Sequence, residues 1–372
     1  EQALQYALNS VNAEIWVWED DFLEAILQEE NPNATYYPTG ELSIISPDLL
    51  KGNANIESYR LAYKFDIFAA SPFTRSDIYV DAHNGAIVTS VDLICHADVS
   101  AFGTASYSCN NPVEITADNV GNYYRLYENG RGDGIHTRTS ENTENTPTLD
   151  IASTDAFFDE DADGVAVHYA LEKTYDYLLE KHNRNSINDN GYKLKAWVHY
   201  GNNMNNAAWA GNFALFGDGD GVKYSALTSI DIVAHEIAHG LTTRTAGLTN
   251  SGESGALNES FSDIFGTLVE FYAEPDCADW LIGEDVVVQN GKTATRNMAN
   301  PKDETAFTQQ PNTYKGEYWL ENNQWGHVHR NNGVLNYWFY LIANGGSGTN
   351  DNDLAYTVLP CLLYTSPSPR DP

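Results

Sequence analysis

The apolar positions of the first hundred residues predict one helical stretch followed by strands. Leu4 to Leu27 reads as mostly helical, and Tyr59 to Ala69 (Y-R-L-A-Y-K-F-D-I-F-A) alternates enough to read as a strand. Asp77 to Ala82 predicts a second strand, His83-Asn84-Gly85 a turn, and Ala86 to Val91 a returning third strand. Residues 97 to about 225 are rich in Gly, Asn, Thr and Tyr, with short strand-like runs such as Tyr123 to Tyr127. One long helix stands out there, from about Val165 to Asn183. It carries Val167, Ala170, Leu171, Tyr175, Leu178 and Leu179 at spacings of three and four. The acidic run before it, Asp159 to Gly164, matches the first half of an EF-hand loop, but Ala170 stands where a bidentate Glu is needed. The run is read as a loop and helix start, where negative charge suits the dipole. Residues 229 to 359 form a helix-rich half. From Leu359 to Pro372 (L-P-C-L-L-Y-T-S-P-S-P-R-D-P) the character changes, and the Ser-Pro-Ser-Pro run cannot continue a helix.

Length and composition narrow this picture. The 372 residues suggest two or three domains, and 42% apolar content is globular. No run of 18 apolar residues occurs, so no membrane span is expected. The balance of 20 Lys and Arg against 52 Asp and Glu argues against nucleic acid, which needs clustered cations. The acid excess fits a strongly solvated surface; it also fits calcium binding by some carboxylates or adaptation to salt. Cys95, Cys109, Cys277 and Cys361 form no zinc-ribbon spacing. They allow one disulfide whose partners the sequence does not choose. With 23 Tyr and two Met, the composition suits an extracellular protein.

The chemistry concentrates in H-E-I-A-H, His235 to His239, which follows the apolar run Ile230, Ile232, Val233 and Ala234. On a helix, positions four apart share a face, so both imidazoles can reach one metal while Glu236 holds a water beside it. Zinc needs a third protein ligand and one open position. Downstream, G-A-L-N-E-S-F-S-D-I-F-G (Gly255 to Gly266) is helical in pattern, with Glu259 and Asp263 on one face. Glu259 supplies the third ligand. Asp263 and Asn258 are placed to hold the imidazole N–H groups. The zinc pattern that places a Gly and a third His after the second His is excluded, because Thr242 and Thr245 stand there. The bland alternative, two core histidines that satisfy each other, does not account for the second motif.

Together these phrases resemble the thermolysin family of neutral proteases. N-N-A-A-W (Asn205 to Trp209) resembles its substrate-binding edge strand, and G-D-G-D-G (Gly217 to Gly221) and D-W-L-I-G-E-D (Asp279 to Asp285) are family phrases. R-N-M (Arg296 to Met298) resembles the family's R-S-M, and V-H-R-N-N-G-V-L-N (Val328 to Asn336) the segment bearing its second catalytic histidine. The D-A-H-N-G phrase with its strands resembles a PepSY-type propeptide module. The resemblance implies an α+β fold: a propeptide over 1–96, with the PepSY-like part at about 55–92, precedes a two-lobed catalytic domain. Its β-rich lobe spans 97–228 and its helical lobe 229–358; the lobe is incomplete and 359–372 is a non-native tail. Propeptide cleavage is expected near residues 95 to 100.

The resemblance also implies roles. Glu236 is general base towards a zinc-activated water and later proton donor to the leaving amine. His329 stabilises the oxyanion, with His327 a decoy two residues earlier. Arg296 grips a substrate carbonyl, and Asn206 and Ala207 bind the extended substrate backbone. The pocket beyond the scissile bond involves Tyr224, Leu227, Ile232 and Thr295 and suits an apolar side chain. One structural calcium maps to Asp231, Glu270, Asp279 and Glu284. A secreted monomeric endopeptidase, cutting internal bonds of proteins or peptides and inhibited by its own propeptide, is the resulting expectation. Several positions depart from the family. Asn250 stands in place of an oxyanion-binding tyrosine, Leu281 replaces a carboxylate of a second calcium site, and Val286 to Thr295 lacks an acidic residue of an outer one. The alternative, a degenerate non-catalytic relative, would have lost a zinc ligand or Glu236, and neither is lost.

Overall fold

The computed structural model describes residues 1–360 apart from 21–23, 26, 29–31, 48–57, 72, 94–96, 121–122, 145–147, 322–323 and 325. The tail residues 361–372, with Cys361, and residues 95–96 of the expected cleavage segment, with Cys95, lie outside the described residues; 97–100 belong to the strand Ala97–Gly103. Two compact units make up the chain. The first comprises Glu1–Ala97, Asp118–Arg125 and Asn145–Asp155; the second comprises Asp98–Ala117, Leu126–Glu144 and everything from Ala156 onward.

The first unit is a helix on an antiparallel sheet. Helix α1 (Gln2–Ser10) stops at Val11, whose backbone is extended. The stretch from Leu4 to Leu27, expected to be mostly helical, is thus interrupted after Ser10. Ile15–Trp16 forms a short strand, β1, because its backbone pairs with Ala69 and Ser71. Strands β2 (Glu41–Ile45), β3 (Arg60–Ser71), β4 (Phe73–Asp81) and β5 (Ile87–Asp92) follow, in the order β1-β3-β4-β5 with β2 also on β3. The turn after β4 forms because Asp81 Oδ1 accepts the N–H groups of His83 and Asn84. Ala7 of α1 is buried against Phe65, Ile67, Ile78 and Val80, the inward residues of β3 and β4. A second cluster joins Val17, Tyr36, Phe68 and Ala70 to Tyr123. Beside it, Arg125 is buried between Asp118 and Asp150, with its guanidinium 4.0 Å from the Phe73 ring centre.

In the second unit, β6 (Ile135–Thr143) pairs parallel with β7 (Leu194–Tyr200). Two short strands, β8 (Ala207–Trp209) and β9 (Ala214–Phe216), complete this side, with β9 parallel to β7 and antiparallel to β8. Strand β8 ends the sheet order, so N-N-A-A-W does lead into an edge strand. Helix α2 (Ala162–His182) buries Val165, Val167, Ala170, Leu171 and Leu178. Asp161 Oδ1 accepts the Gly164 N–H and caps α2, which is the use made of the EF-hand-like acids. Helices α3 (Ile230–Arg244) and α4 (Gly252–Ala273) pack along each other. Gly266 permits this approach: a Cβ there would lie 2.5 Å from the Asp231 carbonyl oxygen. Helices α5 (His327–Asn331) and α6 (Gly333–Asn344) follow, and the chain then turns through a hairpin, Gly346–Thr349 with Ala355–Val358. Cys109 and Cys277 form a disulfide across 168 residues of sequence, a pairing the sequence left open.

Candidate active site

The buried stripe of α3, Val233, Ala234, Ile237, Ala238 and Leu241, sets the direction of its other side chains. His235 and His239 then lie one turn apart on one face, their Nε2 atoms 3.1 Å from each other. Helix α4 brings Glu259 against them. Its Oε2 is 3.6 Å from His235 Nε2 and its Oε1 is 3.7 Å from His239 Nε2. Tetrahedral ligands at zinc–nitrogen distances of about 2.0 Å stand about 3.3 Å from one another, so this triad fits a zinc ion.

Each ligand is held from behind. His239 Nδ1 lies 2.9 Å from Asn258 Oδ1 and 3.2 Å from Ser262 Oγ. The Asn258 oxygen accepts the Nδ1 proton, which leaves Nε2 unprotonated towards a metal. Asp263 Oδ1 lies 2.9 Å from His235 Nδ1. Asp263 is fully buried, and Arg296 donates to it from Nε and Nη2 at 2.8 and 2.6 Å. The amides of Asn332 and Asn336 each donate to its Oδ2 at 2.7 Å. Burial would raise the Asp263 carboxyl, but Arg296 and His235 hold it at about 2. Burial would lower the His235 imidazole, yet Asp263 and Glu259 raise it to about 10. The pocket therefore favours positive charge at the position the ligand atoms surround.

Glu236 is buried beside His235 on α3. His329 is more than half exposed and reaches Glu259 Oε2 through Nδ1 at 2.9 Å. Asn206 and Ala207 lie at the sheet edge, where the Gly217 N–H donates to the Asn206 oxygen at 3.1 Å and Ala207 pairs with Phe216. Arg296, expected to grip substrate, is engaged by Asp263 through two of its nitrogens. Tyr224, Leu227 and Val286 are buried together with Ile232 packed against them, and the Thr295 hydroxyl donates to the Tyr224 hydroxyl at 3.3 Å.

Asp231, Glu270, Asp279 and Glu284 form a second acidic group, in which Asp231 accepts from the Ser229 hydroxyl and the Gly283 N–H and Asp279 from the Leu281 N–H. Glu270 Oε2 and Glu284 Oε2 are buried without a hydrogen-bond partner. Burial, reinforced by Asp231 and the other acids, pushes Glu270 up to about 11 and Glu284 to about 9. Asp285, which sequence reasoning did not single out, joins them and is pushed to about 6. Orphaned buried carboxylate oxygens of this kind fit a hard cation. Among the described residues, three donor atoms come within 4.8 Å of one another only in the zinc triad and in Cys109, Glu274 and Cys277, so the carboxylates are gathered less closely. Asn332 and Asn336 were also missed, although their spacing of four within V-H-R-N-N-G-V-L-N was a signal for a shared helical face.

The description "Thermolysin metallopeptidase, catalytic domain" fits residues 100–243, and "Thermolysin metallopeptidase, alpha-helical domain" fits residues 246–364. The second match runs past Val358, into the segment read as foreign to the family. Bacillolysin of Brevibacillus brevis is 37% identical over 315 residues, 83% of this chain and 56% of that protein. Bacillolysin of Bacillus cereus is 44% identical over 232 residues, 61% of this chain and 40% of that protein. The chain thus spans about half the length of these relatives. Among solved structures, the precursor of protealysin, a metalloproteinase from Serratia proteamaculans, matches with a TM-score of 0.51 and 35% identity over 56% of this chain and 67% of that one. With a two-helix ligand triad, both family domains in chain order and these relatives, the chain belongs to the thermolysin family of metallopeptidases.

Proposed function

We propose that the protein is a secreted zinc endopeptidase that hydrolyses internal peptide bonds next to apolar residues. The observation that carries the reading is the triad of His235, His239 and Glu259, with donor atoms 3.1 to 3.7 Å apart. Bound zinc would supply Lewis-acid chemistry, lowering the pKa of water and polarising the scissile carbonyl. Glu236 would take the water's proton on its carboxylate and return it to the leaving nitrogen. Glu259 engages Nδ1 of His329, so Nε2 is the nitrogen left for a developing oxyanion, to which it donates in the imidazolium form. Asn206 and Ala207 would add the substrate backbone to the edge of β8. Arg296 would divide its guanidinium between Asp263 and a substrate carbonyl. The Thr295–Tyr224 hydroxyl pair lies within the otherwise apolar pocket proposed for the side chain beyond the scissile bond.

The acidic group at Asp231, Glu270, Asp279 and Glu284 would take one calcium ion. The Cys109–Cys277 disulfide favours an oxidising, extracellular setting. Residues 1–96 would serve as the propeptide and hold the enzyme inactive until removed, a reading supported by the sheet and core of the first unit and by the precursor among its structural neighbours. The test is casein hydrolysis by the processed chain, with and without 1,10-phenanthroline, beside Glu236→Gln. Chelation should abolish turnover, added zinc should restore it, and the substitution should lower it about 10²- to 10⁴-fold with zinc still bound. Full turnover in zinc-loaded Glu236→Gln would sink the mechanism.

A further inference from the structure

We propose that His327 is a positioning residue: it fixes where α5 docks along α4 and so where His329 stands against Glu259. The proposal rests on the role given to His329 above. Helix α4 starts without a side-chain cap, since Ser251 makes no capping hydrogen bond. The first amides of such a helix need acceptors from elsewhere. One comes from a residue 75 positions away: the Gly252 N–H donates to His327 Nε2 at 2.9 Å. Nε2 is therefore the unprotonated nitrogen, and Nδ1 donates to the Gln324 carbonyl oxygen at 2.9 Å. Both ring nitrogens are used, in one tautomer.

The contact is the first of a series in register. Val328 sits over Gly255, where a Cβ would come 2.6 Å from its Cγ1. His329 meets Glu259, and Asn332 donates to Asp263. Steps of one or a few residues along α5 thus match steps of three and four along α4, the spacing of one helical face. Helix α5 has five residues and cannot hold its own position, so its docking contacts must hold it. His327 supplies the contact on the chain-entry side of His329; Val328 and Asn332 secure the rest. Without His327, the entry end of α5 would have no bond to the start of α4, and His329 would lose its fixed approach. Displacements of about 1 Å in catalytic groups cost on the order of 10²-fold in rate.

The test compares His327→Leu, His327→Gln, His327→Asn and His329→Ala in the full chain after processing. It reads kcat, KM, zinc content and thermal midpoint with a peptide substrate. His327→Leu should lose about 10- to 100-fold in kcat, with KM within about twofold and zinc at one per chain. His327→Gln, whose amide oxygen can accept the Gly252 N–H, should recover most of the loss, whereas the shorter Asn should not. A His327→Leu enzyme with wild-type kcat overturns the proposal while His329→Ala remains impaired. So does a loss that tracks zinc content or is not rescued by Gln. If Leu does not fold, Gln and Asn variants with equal kcat overturn it instead. Wild-type kcat in His329→Ala would refute the underlying role of His329 as well.

Discussion

The zinc triad and the acidic group beside it are both built from buried carboxylates on neighbouring elements, yet their charges are handled in opposite ways. Around the triad Asp263 and Glu259 each have cations, imidazoles or amides against them. Asp263 has Arg296, Asn332 and Asn336, and Glu259 has three imidazoles. In the other group Glu270 and Glu284 keep buried oxygens without partners, and Asp231, Asp279 and Asp285 add further negative charge. In the first site the ligand side chains are held by partners of their own, the preorganisation a catalytic site needs. The second holds two orphaned carboxylate oxygens, the setting in which calcium is proposed above. Two acidic clusters a few residues apart in sequence can therefore differ in kind, one with its carboxylates largely paired and one with orphaned carboxylate oxygens.

Breaking the pairing in the first site should have the largest effect. Asp263→Asn leaves the Arg296 guanidinium buried without its counter-ion, and such losses cost about 3 to 5 kcal/mol. Denaturant unfolding of the zinc-free protein reads it directly, and an unchanged midpoint would contradict the pairing account. Calcium removal should come next. A chelator selective for calcium should cost about 4 kcal/mol when the ion had been present at roughly a thousand times its dissociation constant. Zinc removal should abolish activity, with a midpoint shift set by its own ratio of concentration to dissociation constant, and a midpoint untouched by calcium removal would overturn the contrast. Asn258→Ala should then weaken zinc about 10- to 100-fold by freeing the His239 ring, as a competition titration would read.

The last effect is a pH dependence confined to the calcium-free protein. Glu270 and Glu284, pushed to about 11 and about 9, keep protons that the unfolded chain releases near its ordinary value of 4.5. The folded state thus binds more protons above that pH, and stability falls as pH climbs through about 9 towards about 11. Saturating calcium, or Glu284→Gln without calcium, should flatten the slope. A calcium-free midpoint that rises with pH would show that these acids are not crowded.

Much of the site was legible because helical spacing is local. His235 and His239 had to share a face once α3 formed, and Glu259 and Asp263 likewise on α4. The strands at Tyr59 to Ala69 and after it were legible for the same reason, since alternation and turn chemistry act over a few residues. The errors arose where partners are distant. Ile15 and Trp16 look like helix continuation until β3 offers an edge to pair with. His327 looks like a spare histidine until the uncapped start of α4 lies beside it. Asp285 looks like one surface acid among many until burial sets it beside Asp231.

The sequence by itself determined which side chains are the candidates for the chemistry, because two short helical motifs encode both the ligand types and their relative directions within each helix. The tertiary structure decided how α3 and α4 meet, which brings the three ligand atoms within 3.7 Å of one another, and which acids are paired and which are left unbalanced. It also decided the Cys109–Cys277 partnership. The physical reason is range: backbone periodicity acts over four residues, whereas desolvation and charge pairing depend on what the rest of the chain places alongside.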